Sequence, residues 1–201
     1  GVGKITLVDD DVFAPSNVNR QLYALQSTIG QSKVDVARNR IADINPNCQV
    51  DAKKLRFDAQ TSAQFDFSQF DYVVDAIDAI SPKLALIKGS LDRGIPVVSS
   101  MGAGAKTDPT LMEIKDIAKT HHCPLAHMLR KRLHKIGIRK GFWAVFSPEP
   151  VRAGAMILCE EQNKKSNVGT ISYIPALFGI GCASVVVRDL IGEFTNETKT
   201  E

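Results

Sequence analysis

The sequence has few cysteines and no two of them close together. Its four cysteines stand far apart within 201 residues, and none belongs to a C-x-x-C pair. A structural zinc site with the usual ligand spacing is therefore not expected. Single, scattered cysteines are typical of a protein in a reducing cytosol. These residues are Cys48, Cys123, Cys159 and Cys182.

The sequence also lacks a recognisable secretory signal peptide and any internal repeat. Its one long apolar stretch, residues 171–187, contains Tyr173 and Pro175 and is followed by Arg188 and Asp189. A stretch of this length is at the lower limit for a membrane-spanning helix. A buried helix is the preferred interpretation, and attachment to a membrane through residues 171–187 is the alternative. We expect a cytoplasmic protein.

Positive charge is concentrated in one segment. The whole chain carries a net charge of +3, yet residues 130–140 hold six Lys and Arg residues and no acid. A basic patch on a mildly acidic body favours a polyanionic partner, and a solvated helix face is the alternative. The six residues are Arg130, Lys131, Arg132, Lys135, Arg139 and Lys140.

An apolar stripe precedes and overlaps this basic segment. Leu125, Leu129 and Leu133 recur at helical spacing, so we expect them to face the core. The side chains then expected to point outward are Arg130, Lys131 and Lys135, with Arg132 nearer the edge of the stripe.

Strand and helix patterns alternate along the chain. Strands separated by helices indicate a parallel sheet with right-handed crossovers. We predict an α/β fold, a Rossmann-like, mostly parallel sheet flanked by helices. The predicted strands are Lys4–Asp9, Gln49–Arg56, Asp71–Asp75, Ile95–Ser100, Thr110–Asp116 and Trp143–Pro148. The predicted helices are Ser32–Asn45, Ser81–Arg93 and, with a break near Pro124, Asp116–Gly137; residues 160–170 are predicted to form a mobile loop.

The first strand ends in three aspartates, and two cations follow it. An acid at such a strand end accepts hydrogen bonds from ribose hydroxyls. Arg20 and Lys33, thirteen residues apart, can neutralise phosphates, so this region predicts a nucleoside triphosphate site. A solvated acidic turn and ordinary surface charges are the alternatives. We expect Lys33, in the first turn of a helix, to point back toward Arg20.

The segments Asp9–Gln21 and Gly30–Lys33 resemble a motif of the E1-like superfamily of ATP-dependent adenylating enzymes, which includes the MoeB, ThiF and HesA proteins. That motif reads D-x-D-x-V-x-x-S-N-L-x-R-Q and then G-x-x-K, and Val18 replaces its leucine here. The resemblance implies an E1-like (ThiF) fold and an ATP site. The residues that it places at ATP are Asp9, Asp11, Asn17, Arg20, Gln21 and Lys33, with Arg20 and Lys33 also catalytic.

The family has a first strand and a glycine-rich loop ahead of this motif. No G-x-G-x-x-G precedes Asp9, and Gly1 and Gly3 are too close to the strand to form that loop. We therefore expect the first strand and the loop to be missing from this chain, through truncation or disorder. Without the backbone N–H groups of the loop, the chain as given should bind ATP poorly.

A second acidic segment, Val73–Asp78, resembles the family's V-x-D-x-x-D-N segment, whose second Asp coordinates Mg²⁺ beside the adenylate. The matching residue is Asp78, and Ala79 stands where the family commonly has Asn. The resemblance implies a catalytic, Mg²⁺-binding role for Asp78, and a hard divalent cation prefers oxygen ligands. For Asp75, a functional role and a turn or helix-capping role stay open.

Two segments of the second half favour one group within the superfamily. Lys119-Thr120 and Phe146-Ser147-Pro148-Glu149 resemble the bacterial TcdA group, also called CsdL, of tRNA threonylcarbamoyladenosine dehydratases. The resemblance implies adenylation of the carboxylate of threonylcarbamoyladenosine in tRNA, followed by cyclisation with release of AMP. It implies tRNA as partner and a homodimer, and it leaves open a cysteine-desulfurase or sulfur-acceptor partner.

The resemblance divides one domain into a nucleotide-binding part, residues 1–100, and a substrate-binding, tRNA-binding and dimerisation part, residues 101–194, with a tail at 195–201. One alternative is a MoeB/ThiF/HesA-type enzyme that adenylates the C-terminal glycine of a ubiquitin-like sulfur carrier; another is a non-catalytic Rossmann binding module. The basic segment favours tRNA over a sulfur carrier.

Cys159 and Cys182 are thioester candidates by position only, and buried packing is preferred for Cys182.

Overall fold

Strands and helices alternate through most of the chain. The computed structural model describes residues 1–150, 156–157 and 167–193. The strands are β1 (Lys4–Val8), β2 (Gln49–Lys53), β3 (Val73–Asp75), β4 (Val97–Ser100), β5 (Glu113–Asp116), β6 (Trp143–Phe146), β7 (Met156–Ile157) and β8 (Asn167–Val168). The helices are α1 (Lys33–Ile44), α2 (Ile80–Leu91), α3 (Pro124–Lys135) and α4 (Tyr173–Leu190). The predicted strands and helices are confirmed, most with ends a few residues shorter, except for the first part of the predicted helix Asp116–Gly137. Most of the predicted loop 160–170 and the tail lie outside the described residues.

The sheet is mostly parallel, as the alternation predicted. Strands β1 and β2 pair in parallel, and a four-stranded sheet has the order β3-β4-β6-β5. Strands β3, β4 and β6 run parallel, and β5 runs antiparallel to β6. Strands β7 and β8 form a separate antiparallel pair. The carboxyl ends of β3 and β4 therefore lie side by side.

Helices cover both faces of the four-stranded sheet. Helices α2 and α3 pack together on one face, in a core that includes Ile87, Leu129 and Phe146. Helix α4 packs on β4 and β6 through a second core that includes Phe178. Gly181 permits this close approach, because a Cβ there would lie 3.1 Å from Cγ1 of Val145.

Helix α4 corresponds to the long apolar stretch of the sequence. Its buried residues include Ile174 and Phe178, whereas Ile180 and Leu190 are exposed. Within the described residues it is the one helix long and apolar enough to cross a membrane, with 28% of its length buried. Because one face packs on the sheet and the other is exposed, the predicted buried helix is confirmed only in part.

The region between β5 and α3 differs from the prediction. Asp116 accepts a hydrogen bond from the Ala118 N–H at 2.8 Å, which starts a single short turn. The α-helix begins only at Pro124, whose fixed φ suits a first helical position. His121 and His122 therefore lie in a loop, with His122 at φ +51°, and the prediction of helix between Asp116 and Pro124 was wrong.

Candidate functional site

The end of β1 holds a carboxylate that is half-buried. Oδ1 of Asp9 accepts a hydrogen bond from the Asp11 N–H at 2.8 Å. Its Oδ2 lies 4.0 Å from Nζ of Lys33. Burial is the main reason that the pKa of Asp9 lies above its ordinary value. Oδ2 is thus the oxygen available to accept hydrogen bonds from the hydroxyl groups of a ligand.

Lys33 is fixed beside this strand end by both its backbone and its side chain. Its N–H donates to the Asp11 carbonyl at 3.1 Å, and its Nζ lies 2.7 Å from Oδ2 of Asp11. The turn before it needs a glycine, because Gly30 has φ +82° and donates to the Phe13 carbonyl at 2.8 Å. The G-x-x-K spacing therefore brings the ammonium group to the acidic strand end.

Arg20 lies in the loop between β1 and α1. Its Nη1 donates to the Ser16 carbonyl at 2.8 Å and to Oδ1 of Asn19 at 3.0 Å. Asn17 stabilises the same loop, since its Oδ1 accepts from the Ala14 N–H at 3.0 Å and its carbonyl accepts from the Gln21 N–H at 2.9 Å.

The two predicted phosphate-binding cations use different partners. Lys33 contacts Asp9 and Asp11, whereas Arg20 bonds within its own loop. The structure shows Lys33 in a direct ion pair with Asp11, and its predicted orientation toward Arg20 stays a prediction. Asp9, Asp11 and Lys33 are thus brought together, and Arg20 lies on the loop that follows β1.

Asp78 lies on the short connection between β3 and α2. It is exposed, three residues beyond Asp75 at the end of β3 and two before Ile80, where the helix begins. In a parallel sheet this is the edge at which ligands bind. The connection from β3 to α2 thus presents the Asp78 carboxylate at the carboxyl edge.

Three consecutive carboxylates at the end of β1 have the spacing of a metal site. Oxygen atoms of Asp9, Asp10 and Asp11 lie within 4.8 Å of one another. The ammonium group of Lys33 already lies 2.7 Å from Asp11 and 4.0 Å from Asp9. This cluster therefore has a cation as a partner in the protein itself, and we do not assign a metal to it.

The sequence did not reveal a buried ion pair behind the Asp78 connection. Lys83 and Asp75 are both 0% exposed, and Nζ of Lys83 lies 2.6 Å from Oδ2 of Asp75. The Ser99 hydroxyl donates to the same Oδ2 at 2.5 Å. A strand-end Asp was a visible signal, but nothing in the spacing identified its partners on α2 and β4.

A second unpredicted cluster joins the loop after β4 to Glu149. The Glu149 carboxylate accepts from the Thr107 N–H at 2.7 Å, the Thr107 hydroxyl at 2.9 Å and the Asp108 N–H at 3.0 Å. These hydrogen bonds hold the pKa of Glu149 below its ordinary value, and the bond from the Asp108 N–H has the largest effect. Nζ of Lys106 donates to the Glu149 carbonyl, and burial lowers the pKa of that lysine.

Helix α4 contacts the same loop. The Tyr173 hydroxyl donates to the Thr107 carbonyl at 2.7 Å, and the Ala105 N–H donates to the Gly169 carbonyl at 2.8 Å. Nearby, Nδ2 of Asn19 donates to the Thr170 carbonyl at 3.2 Å. The segment before α4 therefore connects the Arg20 loop to the loop after β4.

The basic segment is mostly exposed, as predicted, with one exception. Leu129 and Leu133 face the core, and Leu125 is partly buried beside them. Arg130 was expected to point outward, but its Nη1 donates to the Thr120 carbonyl at 2.8 Å and also to the Thr120 hydroxyl. The exposed basic residues are Lys131, Arg132, Lys135, Arg139 and Lys140.

The described cysteines differ in burial. Cys182 is buried, and burial is the main reason that its pKa is raised to about 11, which favours the unreactive thiol. This agrees with the packing role preferred from the sequence. Cys123 is also buried, Cys48 is partly exposed, and Cys159 lies outside the described residues.

Comparison with known proteins identifies the family. A family model described as the ThiF family matches residues 1–201. The chain belongs to the ThiF family. This result confirms the superfamily inferred from the Asp9–Gln21 and Gly30–Lys33 motif.

Relatives of this ThiF-family chain have a more specific name. It is 44% identical over 199 residues to tRNA threonylcarbamoyladenosine dehydratase of Bacillus subtilis (strain 168), which is 95% of this chain and 78% of that protein. It is 36% identical over 211 residues to the Escherichia coli (strain K12) protein of the same name, with 96% and 79% covered.

A solved structure has the same fold. The crystal structure of the E. coli dehydratase, TcdA, in complex with ATP matches with a TM-score of 0.84 at 33% identity and covers 95% of this chain and 76% of that one. The predicted ThiF-like fold and the similarity to the TcdA group are both confirmed.

Proposed function

We propose that this protein is an ATP-dependent tRNA threonylcarbamoyladenosine dehydratase. The observation that carries the proposal is the similarity of nearly the whole chain to the B. subtilis protein of that name. The site residues support it, because an acidic strand end, a lysine fixed beside it and an arginine in the following loop provide groups for each part of a nucleoside triphosphate. The ATP complex of the E. coli relative fits the same cosubstrate.

Asp9, Lys33 and Arg20 provide the main contacts to ATP in this proposal. Oδ2 of Asp9 accepts hydrogen bonds from the ribose hydroxyls, since Oδ1 already accepts one from the Asp11 N–H. Lys33 and Arg20 offset charge on the phosphates and on the departing pyrophosphate. Asn17 and Gln21 keep the Arg20 loop in shape through their bonds to each other and to Ala14.

Asp78 is the proposed ligand of Mg²⁺. Magnesium is commonly held by one or two carboxylates together with substrate phosphates and water, so a single exposed carboxylate at the strand edge fits this ion. A bound Mg²⁺ supplies neutralisation of phosphate charge. The protein's own contribution is to hold the Asp78 carboxylate at the carboxyl ends of β3 and β4.

The reaction requires an activated carboxyl group, because a carboxylate is a poor acyl donor at neutral pH. A carboxylate oxygen of the threonylcarbamoyl group attacks the α-phosphorus of ATP, and pyrophosphate leaves. A nucleophile of the same modified nucleoside then attacks the acyl carbon, and AMP leaves with that oxygen. The nucleoside loses the elements of one water, while ATP becomes AMP and pyrophosphate.

The exposed basic side chains of α3 and of the segment after it form the proposed tRNA surface. Phosphate contacts from Lys and Arg supply most of the non-specific affinity for nucleic acid. The exposed residues in this surface are Lys131, Arg132, Lys135, Arg139 and Lys140.

We also propose that the domain divides at residue 100 into a nucleotide-binding part and a substrate-binding part. We propose a homodimer and a cytoplasmic location, and leave a sulfur-transfer partner as an option for biochemical tests.

ATP–pyrophosphate exchange tests this function and its alternative together. The full-length protein is assayed with tRNA that carries threonylcarbamoyladenosine, with the same tRNA lacking the modification, and with a ubiquitin-like protein ending in glycine. Exchange that requires the modified tRNA supports the dehydratase. Exchange that requires the ubiquitin-like protein instead would overturn the proposal in favour of a sulfur-carrier enzyme.

A further inference from the structure

Asp75 and Lys83 form an ion pair in a fully buried position. Both side chains are 0% exposed, and the pair joins the end of β3 to the first turns of α2. Removing two charges from water is costly, and apolar residues of similar volume often stabilise a fold equally well or better. Overall stability therefore does not explain this pair, and its geometry must be considered instead.

Lys83 uses all three of its ammonium protons at this position. Besides Asp75 at 2.6 Å, Nζ donates to Oγ of Ser99 at 3.2 Å and to the Ser100 carbonyl at 3.0 Å. The Ser99 hydroxyl in turn donates to Oδ2 of Asp75 at 2.5 Å. Strand β3, strand β4 and helix α2 are thereby joined at one point.

The same residues hold both ends of the connection that carries Asp78. Oδ1 of Asp75 accepts from the Ile77 N–H at 3.0 Å, just before Asp78. The Lys83 N–H donates to the Ala79 carbonyl at 3.1 Å, just after it. Residues 76–79 are thus fixed at both ends by the two partners of the buried ion pair.

We propose that Asp75, Lys83 and Ser99 are positioning residues, which act by holding residues 76–79 so that Asp78 is correctly placed at the nucleotide. This inference rests on the proposed function of Asp78. Misplacement of a catalytic group by about 1 Å can cost about 10²-fold in rate. The buried pair therefore matters for turnover more than for nucleotide binding by Asp9 and Lys33.

The double variant Asp75→Asn/Lys83→Met tests this role, since it removes both buried charges at similar volume. Amide hydrogen exchange of residues 76–79 should become at least about tenfold faster, because the side chain at position 75, which accepts from the Ile77 N–H, is no longer held by the Lys83 ammonium group. The kcat for tRNA-dependent ATP turnover should fall about 10- to 100-fold, with KM for ATP within about threefold. The matched control is Lys88→Met/Asp92→Asn, an exposed pair on the same helix, and it should behave as wild type.

A background that already lacks the Asp78 carboxylate separates positioning from a general structural defect. If the pair acts through Asp78, the double change should cause no further loss of kcat in an Asp78→Asn protein. If the losses of kcat from the double change and from Asp78→Asn multiply, the proposal is contradicted. It is also contradicted if the double variant has wild-type amide hydrogen exchange at residues 76–79 and wild-type kcat.

Ser99→Ala covers the case in which the double variant does not fold. It removes one donor to Asp75 and should give the same effects at smaller size; wild-type exchange and kcat in this variant would contradict the proposal. A wild-type protein without tRNA-dependent turnover would instead refute the proposed function. Exchange at residues 76–79 would still report whether the buried residues hold the connection.

Discussion

The ammonium group of Lys33 lies 2.7 Å from Oδ2 of Asp11, and the Lys33 N–H donates to the Asp11 carbonyl at 3.1 Å. The lysine is therefore held at the end of β1 from two directions. An ordered cation requires less reorganisation when phosphates bind, which is a general source of catalytic stabilisation.

Replacing either phosphate-binding cation should impair ATP use. Lys33→Ala and Arg20→Ala should each lower kcat/KM for ATP about 10²- to 10³-fold, because charge on the phosphates is no longer offset in the transition state. Steady-state kinetics of the protein with its N-terminal glycine-rich loop restored, at saturating modified tRNA, measure this. Lys88→Ala is a control, since Lys88 forms an exposed ion pair with Asp92 on α2. Unchanged kcat/KM in both motif variants would refute the phosphate-binding assignment.

Asp78→Asn keeps the shape of the side chain and removes its charge. If Asp78 holds Mg²⁺, adenylation should fall about 10²-fold or more, whereas ATP affinity measured without metal should change little. Pyrophosphate exchange across a magnesium titration gives the first value and calorimetry the second. Asp71→Asn, another exposed carboxylate before the same strand, should have no effect. Normal activity with normal magnesium dependence in Asp78→Asn would place the ion elsewhere.

The basic surface should bind tRNA in a salt-dependent way. Replacing Lys131, Arg132 and Lys135 by Gln should reduce the slope of log affinity against log salt by about two to three, at about 0.7 to 0.9 for each phosphate contact. Mobility shifts at several salt concentrations measure the slope. The affinity for ATP should not change.

A control with the same loss of charge is available elsewhere on the surface. Lys4, Lys54 and Lys88 are exposed, and their replacement by Gln should leave the slope unchanged. Equal slopes for the α3 variant and the wild type would mean that the basic residues are only a solvated helix face.

Local patterns made most of the fold predictable. The apolar spacing of α1 and the buried strands β3 and β4 depend on residues close in sequence, so their prediction needed no tertiary information. The side chain of Arg130 shows the limit of this reasoning. Helical spacing placed it outward, but Thr120, ten residues earlier in an irregular turn, provides an acceptor that periodicity does not describe.

The buried polar clusters could not be predicted from the sequence for a related reason. Glu149 bonds to Thr107 across 42 residues, and Asp75 meets Ser99 across 24. Such contacts depend on which strands become neighbours. The ATP motif was recognisable because its residues lie close together in sequence and their spacing follows a known family.

Glu149 should stabilise the loop after β4 in a pH-dependent way. Its pKa in the folded protein lies below its ordinary value of 4.5, chiefly through the Asp108 N–H. The stabilisation is therefore fully present above about pH 4.5 and is lost as the pH falls through the lower, folded-state value. Glu149→Gln should lower the free energy of unfolding by about 1–3 kcal/mol at pH 7.

Urea unfolding at neutral and acidic pH tests this expectation. The difference between wild type and Glu149→Gln should shrink below about pH 4.5, because the wild-type carboxylate becomes protonated. Glu193→Gln, at an exposed position, should change the free energy of unfolding by less than about 0.5 kcal/mol at either pH. A Glu149→Gln difference that stays constant with pH would contradict a stabilising charge at this position.

The mass of the modified nucleoside tests the proposed function most directly. The protein is incubated with ATP and tRNA that carries threonylcarbamoyladenosine, and the tRNA is then digested and analysed by mass spectrometry. We predict that the nucleoside loses one water for each AMP and pyrophosphate formed, and that omission of ATP prevents the loss. An unchanged nucleoside mass in the presence of active, ATP-binding protein would contradict the account.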